Sequence, residues 1–266
     1  MSSERVTSTS HRTEEEYAPL PYTSMVPILQ WLMVALAALT ASTLAAVTGF
    51  GGAAVLLPVL IVVFGVREAV PILTVAQLIG NGSRVWFNRR DLDWRVVAWF
   101  ALGGVPMALV GGYLFATAPL SALTRLLGAF LLLVVVWRHL QPKRARPLPV
   151  AAFAGIGAGA SFLSALLGSV GPVMAPFFLA YGLVKGAYIG TEALSTVVMH
   201  VTKLVAYQQT SILTRLDVLI GFALGPIMIL GSFLGKRIVD RHPERVFVAI
   251  IEAVLVTAGL IFLIRG

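Results

Sequence analysis

Apolar runs long enough to cross a bilayer recur from Val26 to Ile264, and only short polar stretches separate them. A spanning helix needs about 20 consecutive apolar residues. The chain therefore reads as an all-α polytopic membrane protein with a single membrane domain. Charged residues make up 12% of the sequence against 58% hydrophobic, which sets it apart from soluble globular domains. In that setting the net charge of +8 points to basic cytoplasmic loops and not to nucleic acid. The absence of cysteine excludes a disulfide, a thiolate metal site and a cysteine nucleophile.

The first long run is interrupted by Thr48-Gly49-Phe50-Gly51-Gly52, with Pro58 six residues further on. Glycines so close together break a helix, because they raise the backbone entropy lost on folding and leave polar backbone bare. Within a membrane such backbone is tolerated only where protein buries it or a wet cavity receives it. The segment behind the break, Ala53 to Phe64, is short, and its N-terminus offers free N–H groups and partial positive charge to an anion. Close helix packing through small residues is the competing explanation.

Helices are expected at about 26–47, 68–88, 95–116, 120–140, 150–167, 186–207, 216–235 and 246–264, with short segments at about 53–64 and 168–182. That makes about eight full spans plus two short or re-entrant helices. Residues 1–24 are polar and expected to be disordered, and they do not read as a signal peptide. The remainder divides into a membrane repeat at 25–140, a basic connector at 141–149 and a second membrane repeat at 150–266.

Two halves are expected because their landmarks coincide. Adding 119 takes Gly49 to Gly168, Gly52 to Gly171, Gln77 to Thr196, Asn81 to His200 and Arg84 to Lys203. Pro58 and Pro176 correspond one residue out of phase, and Ala101-Leu102-Gly103 resembles Ala223-Leu224-Gly225. Loop charge then bears on orientation. One set of loops carries Arg84, Arg89, Arg90, Arg95, Arg138, Lys143, Arg144, Arg146, Lys185, Lys236, Arg237, Arg241 and Arg245. The other carries only Arg5, Arg12, Arg67, Arg125, Arg215 and Arg265. The bias puts the first set in the cytoplasm. With the short segments crossing, each half has five apolar elements, which predicts two inverted-topology repeats, each with a glycine-broken short helix. Re-entrant short segments would instead give parallel repeats, which fit this charge pattern less well. That architecture belongs to secondary transporters, whose substrate sites lie at the repeat interface near the midplane.

Polar side chains inside the spans are the candidate site. Gln77, Asn81 and Arg84 share one helix face, and Glu192, Thr196, His200 and Lys203 lie close to one face of another. Arg84 is expected toward the cytoplasmic mouth and Lys203 toward the outer one, with the hydrogen-bonding groups between them. Snorkelling of both cations to the interface is the alternative. Glu192 is expected to face the cytoplasmic half of the cavity, and Glu252 has no assigned role. The expected substrate-binding set is Gly49, Phe50, Gly51, Gly52, Gln77, Asn81, Arg84, Gly168, Ser169, Gly171, Glu192, Thr196, His200 and Lys203. No metal, cofactor or catalytic residue is expected: His11, His139 and His242 lie in the tail or loops, which leaves His200 isolated.

The Gly49-Phe50-Gly51-Gly52…Pro58 stretch resembles the sulfite exporter TauE/SafE family. So do the Asp91-Leu92-Asp93-Trp94-Arg95 loop, the second copy Gly168…Gly171…Pro176 and the phrase Gly190-Thr191-Glu192-Ala193. The likeness covers about residues 26–264. It implies an inner-membrane permease, not an enzyme, for small sulfur-containing anions such as sulfite or an organosulfonate. The second break, Gly168-Ser169-Val170-Gly171-Pro172, is less glycine-rich than the first, and His200 and Lys203 are not carried over from the family. The expectation is a transporter exporting a small anion from a bacterial cell. A proton-coupled uptake permease using Glu192 or His200 is the alternative. The expected partners are that anion and the lipid bilayer, with a homodimer as an option.

Overall fold

A computed structural model describes residues 28–49, 52–140, 148–238, 253 and 256–264. Among these residues the fold is all-helical, with no β-strand. The helices are α1 (Ile28–Thr48), α2 (Gly52–Phe64), α3 (Val66–Phe87), α4 (Trp94–Thr117), α5 (Leu120–Leu140), α6 (Ala152–Leu167), α7 (Gly171–Tyr181), α8 (Lys185–Gln209), α9 (Arg215–Ala223) and α10 (Gly225–Ile238). Residues 256–264 are helical as well.

Four segments are long and apolar enough to cross a membrane: Ile28–Thr48, Trp94–Thr117, Leu120–Trp137 and Arg215–Arg237. The expected count of eight full spans is therefore only partly met. Helices α3 and α8 have the length, but their polar residues lower their hydropathy, and those residues are buried in protein instead of facing lipid. Helix α6 is shorter, at 16 residues. The first part of the expected last span, with Glu252, lies outside the described residues, as do the tail and the connector from 141 to 147. The span expected at 216–235 is two helical pieces that meet at Leu224, two residues before Pro226. Leu126, Leu133 and Val136 on α5, and Leu102 and Val110 on α4, are exposed, as a lipid-facing surface requires.

Both glycine breaks follow the same local plan. Gly49 closes α1 with φ +77° and donates its N–H to the carbonyl of Ala45 at 2.9 Å. Gly168 closes α6 with φ +84° and donates to the carbonyl of Ser164 at 2.8 Å. A positive φ is where glycine ends a helix without the Cβ penalty. Each short helix then carries an internal proline, Pro58 in α2 and Pro176 in α7. Pro172 in the first turn of α7 lacks an N–H where none is required within the helix.

The packing is ordered around α3 and α8, which lie against each other. Helix α4 packs on α6 and α8, while α3 packs on α9 and α10, and α10 packs on α1. Two of these seams bring backbones close. A β-carbon at Gly103 would lie 1.9 Å from the Ala154 carbonyl oxygen, and one at Gly157 would lie 2.2 Å from that of Phe100. On the α1–α10 side, a β-carbon at Gly235 would lie 2.5 Å from the Thr43 carbonyl oxygen. Small residues permit this approach, which maximises dispersion contact where no hydrophobic force acts between lipid-embedded helices.

Candidate functional site

The polar faces of α3 and α8 meet at the centre of the molecule and enclose a small cavity of about 30 Å³. That is room for a water molecule, not for a sulfonate, so the site is closed in this conformation. Helix α3 contributes Gln77, Asn81 and Arg84, and α8 contributes Glu192, Thr196 and His200. The two breaks complete the wall: Gly52 and Ala53 open α2, and Gly168, Ser169, Val170 and Gly171 join α6 to α7.

Arg84 is buried, with 5% of its surface exposed, and does not snorkel. Its Nη1 lies 3.6 Å from Glu192 Oε2 and donates to the carbonyls of Ala45 at 3.2 Å and Gly49 at 3.3 Å. The guanidinium thus sits on the C-terminal carbonyls of α1, where a helix end favours a cation. Its Nη2 donates to Asn81 Oδ1. Thr196 Oγ1 donates to Glu192 Oε1 at 3.1 Å. Arg84, expected toward the cytoplasmic mouth, and Glu192, expected to face the same half of the cavity, are thus paired. Because α3 and α8 pack face to face, residues one helix turn apart on each are drawn into a shared network.

Lys203 is fully buried, and its Nζ donates to Ser164 Oγ at 3.2 Å. It does not touch the cavity itself. It stands behind Ser164, which does. An ammonium has only donors, so the serine oxygen must accept, and the Ser164 proton is left free for another partner. Lys203, expected toward the outer mouth, is a buried charge set behind the cavity wall.

Several wall atoms have no hydrogen-bond partner: Gln77 Nε2, Ser169 Oγ, Glu192 Oε2 and His200 Nδ1. Buried polar atoms are nearly always satisfied. Glu192 Oε2 has its ion pair with Arg84, and the other three atoms are left with hydrogen-bonding capacity at the cavity. Gly49 is not in this wall. It packs on the ring of Tyr188, whose hydroxyl donates to the Thr48 carbonyl at 3.3 Å. Phe50 and Gly51 lie outside the described residues. Sequence reasoning missed Ser164, Met174 and Met199, which also line the cavity. The position equivalent to Ser164 under the 119-residue shift is Ala45, so the repeat carried no cue to the serine.

A second, larger cavity of about 410 Å³ lies beyond Arg84, which lines both. Its wall includes Asn88, Lys185, Tyr188, Ser232 and Lys236. Arg84 therefore stands between the small cavity and a basic vestibule.

The family described as sulfite exporter TauE/SafE matches residues 34–262. The chain belongs to the sulfite exporter TauE/SafE family. No curated protein matches it, and no solved structure does. As a TauE/SafE member the chain is a multi-pass membrane permease for a small anion and not an enzyme. Among the described residues no group of His, Asp and Glu is placed to hold a metal ion.

Proposed function

We propose that this TauE/SafE permease exports sulfite or an organosulfonate, and that the substrate binds in the cavity between α3 and α8. The observation that carries the reading is the convergence of unpartnered polar atoms with two buried cations around one enclosed space. Gln77 Nε2 and the hydroxyls of Ser164 and Ser169 supply donors, and Arg84 and Lys203 supply charge. The N-termini of α2 and α7 add backbone N–H groups.

The inverted-repeat architecture is part of this proposal. The pairing of elements supports two related halves, and the loop-charge bias their inversion. Exchanging α1 with α6, α3 with α8, and α4 with the α9–α10 span maps the α4–α6 seam onto the α10–α1 seam. The same exchange returns α3–α8 to itself. An arrangement of this kind brackets a substrate between two related halves, which alternate access by rocking. The vestibule beyond Arg84 carries Lys185 and Lys236, both from the basic loop set, which favours a cytoplasmic entrance. An inside-negative potential of a bacterial inner membrane then drives anion efflux by about 2.3 kcal/mol per charge per 100 mV.

A second reading, proton-coupled uptake, draws on Glu192 as a carboxylate within the cavity wall. The test is flux of labelled sulfite and sulfonate in proteoliposomes, with voltage and pH gradients imposed separately. Acceleration by voltage alone supports export. Acceleration by a pH gradient at zero voltage supports coupling through a proton. No flux of any small anion under either gradient defeats both.

A further inference from the structure

We infer that the cavity is matched to a singly charged anion, and that Glu192 is the residue that rejects doubly charged ones. The inference rests on the anion-site reading of the cavity.

Among the described residues, three charged side chains stand at or directly behind the cavity wall. Arg84 and Glu192 lie 3.6 Å apart and offset each other. Lys203 has no carboxylate near it, and its Nζ donates to the neutral Ser164 hydroxyl. The rest of the polar wall, Gln77, Asn81, Thr196 and Ser169, is uncharged, and the His200 ring counts as neutral. One positive charge is left over. Helix ends do not change this count, because each break presents a helix C-terminus together with a helix N-terminus, and their partial charges oppose.

A charge in a space this small and poorly hydrated is tolerated when it is paired and opposed when it is not. A monoanion in the cavity balances Lys203 and leaves the wall neutral. A dianion leaves one negative charge unmatched. Glu192 also acts locally. Its Oε2 has no hydrogen-bond partner, although the cavity wall around it carries donors. A carboxylate oxygen only accepts, so it repels the oxygens of an incoming anion. Substitution by glutamine changes that position from a repelling charge to an amide with two donors and leaves the site with two excess positive charges.

The test uses the full chain in proteoliposomes at neutral pH, with no pH gradient and the voltage clamped at zero. Labelled methanesulfonate and labelled sulfate are the probes. Both are compact sulfur oxyanions, and they differ by one charge. Wild-type protein is expected to move methanesulfonate at least tenfold faster than sulfate. E192Q is expected to shrink that ratio at least tenfold by gaining sulfate flux. The double variant R84Q/E192Q, which restores a single excess charge, is expected to keep the monoanion preference.

Independently, K203M is expected to lower methanesulfonate flux at least tenfold while K203R retains it. That comparison decides the matter if E192Q fails to insert. Equal wild-type flux of the two anions, an unchanged ratio in folded E192Q, or equal flux in K203M and K203R overturns the charge rule. The proposed function survives those outcomes. Absence of any anion flux in the wild type instead removes the anion site, and the charge rule with it.

Discussion

The Nζ of Lys203 donates to the Oγ of Ser164 at 3.2 Å. Subtracting 119 from both numbers gives Arg84 and Ala45, where Arg84 Nη1 donates to the Ala45 carbonyl, also at 3.2 Å. Each half thus ties a buried cation on its central helix to the end of its first helix, four residues before the glycine that breaks it. The difference lies in what the cation meets next. Arg84 has Glu192 beside it, and Lys203 has only a hydroxyl.

That difference makes Arg84 the more sensitive position for folding. Arg84→Gln leaves Glu192 buried without its cation and is expected to cost about 3–5 kcal/mol. Removing both charges in R84Q/E192Q is expected to cost clearly less than the sum of the single changes. Thermal unfolding of the detergent-solubilised single and double variants gives the coupling. Simple additivity would show that the 3.6 Å pair carries no interaction energy.

The α4–α6 seam predicts a contrast between two neighbouring glycines. A β-carbon at Gly157 would lie 2.2 Å from the Phe100 carbonyl oxygen, whereas one at Gly155 meets nothing within 4 Å. Gly157→Leu is therefore expected to destabilise by at least about 1–3 kcal/mol, since backbone cannot rotate away. Gly155→Ala is expected to be neutral or to stabilise by up to about 1 kcal/mol through helix propensity. Melting temperatures in one detergent compare the two, and similar losses at both sites would contradict the seam.

At the first break, Gly49→Ala suffers twice. Its φ is +77°, and the added β-carbon would sit 2.2 Å from Tyr188 Cε1. The backbone penalty alone is roughly 1–2 kcal/mol. Adding Tyr188→Ala is expected to recover part of the folded yield by removing the clash, while the backbone penalty persists. Fluorescence-detected size exclusion reads the yield. A normal yield from Gly49→Ala would mean that this break tolerates a side chain.

The loop before α4 offers a milder test. Asp93 caps α4 by accepting from the N–H groups of Arg95 at 3.0 Å and Val96 at 3.2 Å, and its own N–H donates to Thr191 Oγ1 on α8 at 2.9 Å. Asp93→Ala is expected to cost about 0.5–2 kcal/mol. Asp93→Asn, which can still cap, is expected to cost much less. Equal losses in unfolding experiments would place the effect in charge and not in the cap.

Much of the fold was legible because its signals are local. Gly49 and Gly168 announce helix ends by composition, and both take the left-handed φ that glycine permits. The helices α4 and α5 were readable from their apolar length. The meeting of α9 with α10 was missed although Pro226 stood in the sequence, because the apolar run continues through it. The polar faces of α3 and α8 were readable from their helical spacing, but which side chain of one pairs with which of the other was not. Arg84 and Glu192 are 108 residues apart in sequence, and nothing in either helix encodes the other as its partner. Burial of Lys203 was illegible for the same reason: only tertiary packing separates a cation behind a cavity wall from one reaching for headgroups.

The glycine seams have a consequence for how the chain is assembled during synthesis. Helix α4 is completed by α6, and α1 by α10, so α1 rests on a helix made much later. A ribosome that has released α1 through α5 has made two backbone-bare grooves with nothing to fill them. Until α10 arrives, α1 is open along the Thr43 face that Gly235 will later approach. Neither half is expected to accumulate when expressed alone. The two halves produced together as separate chains are expected to rescue each other, because each supplies the missing wall of its counterpart.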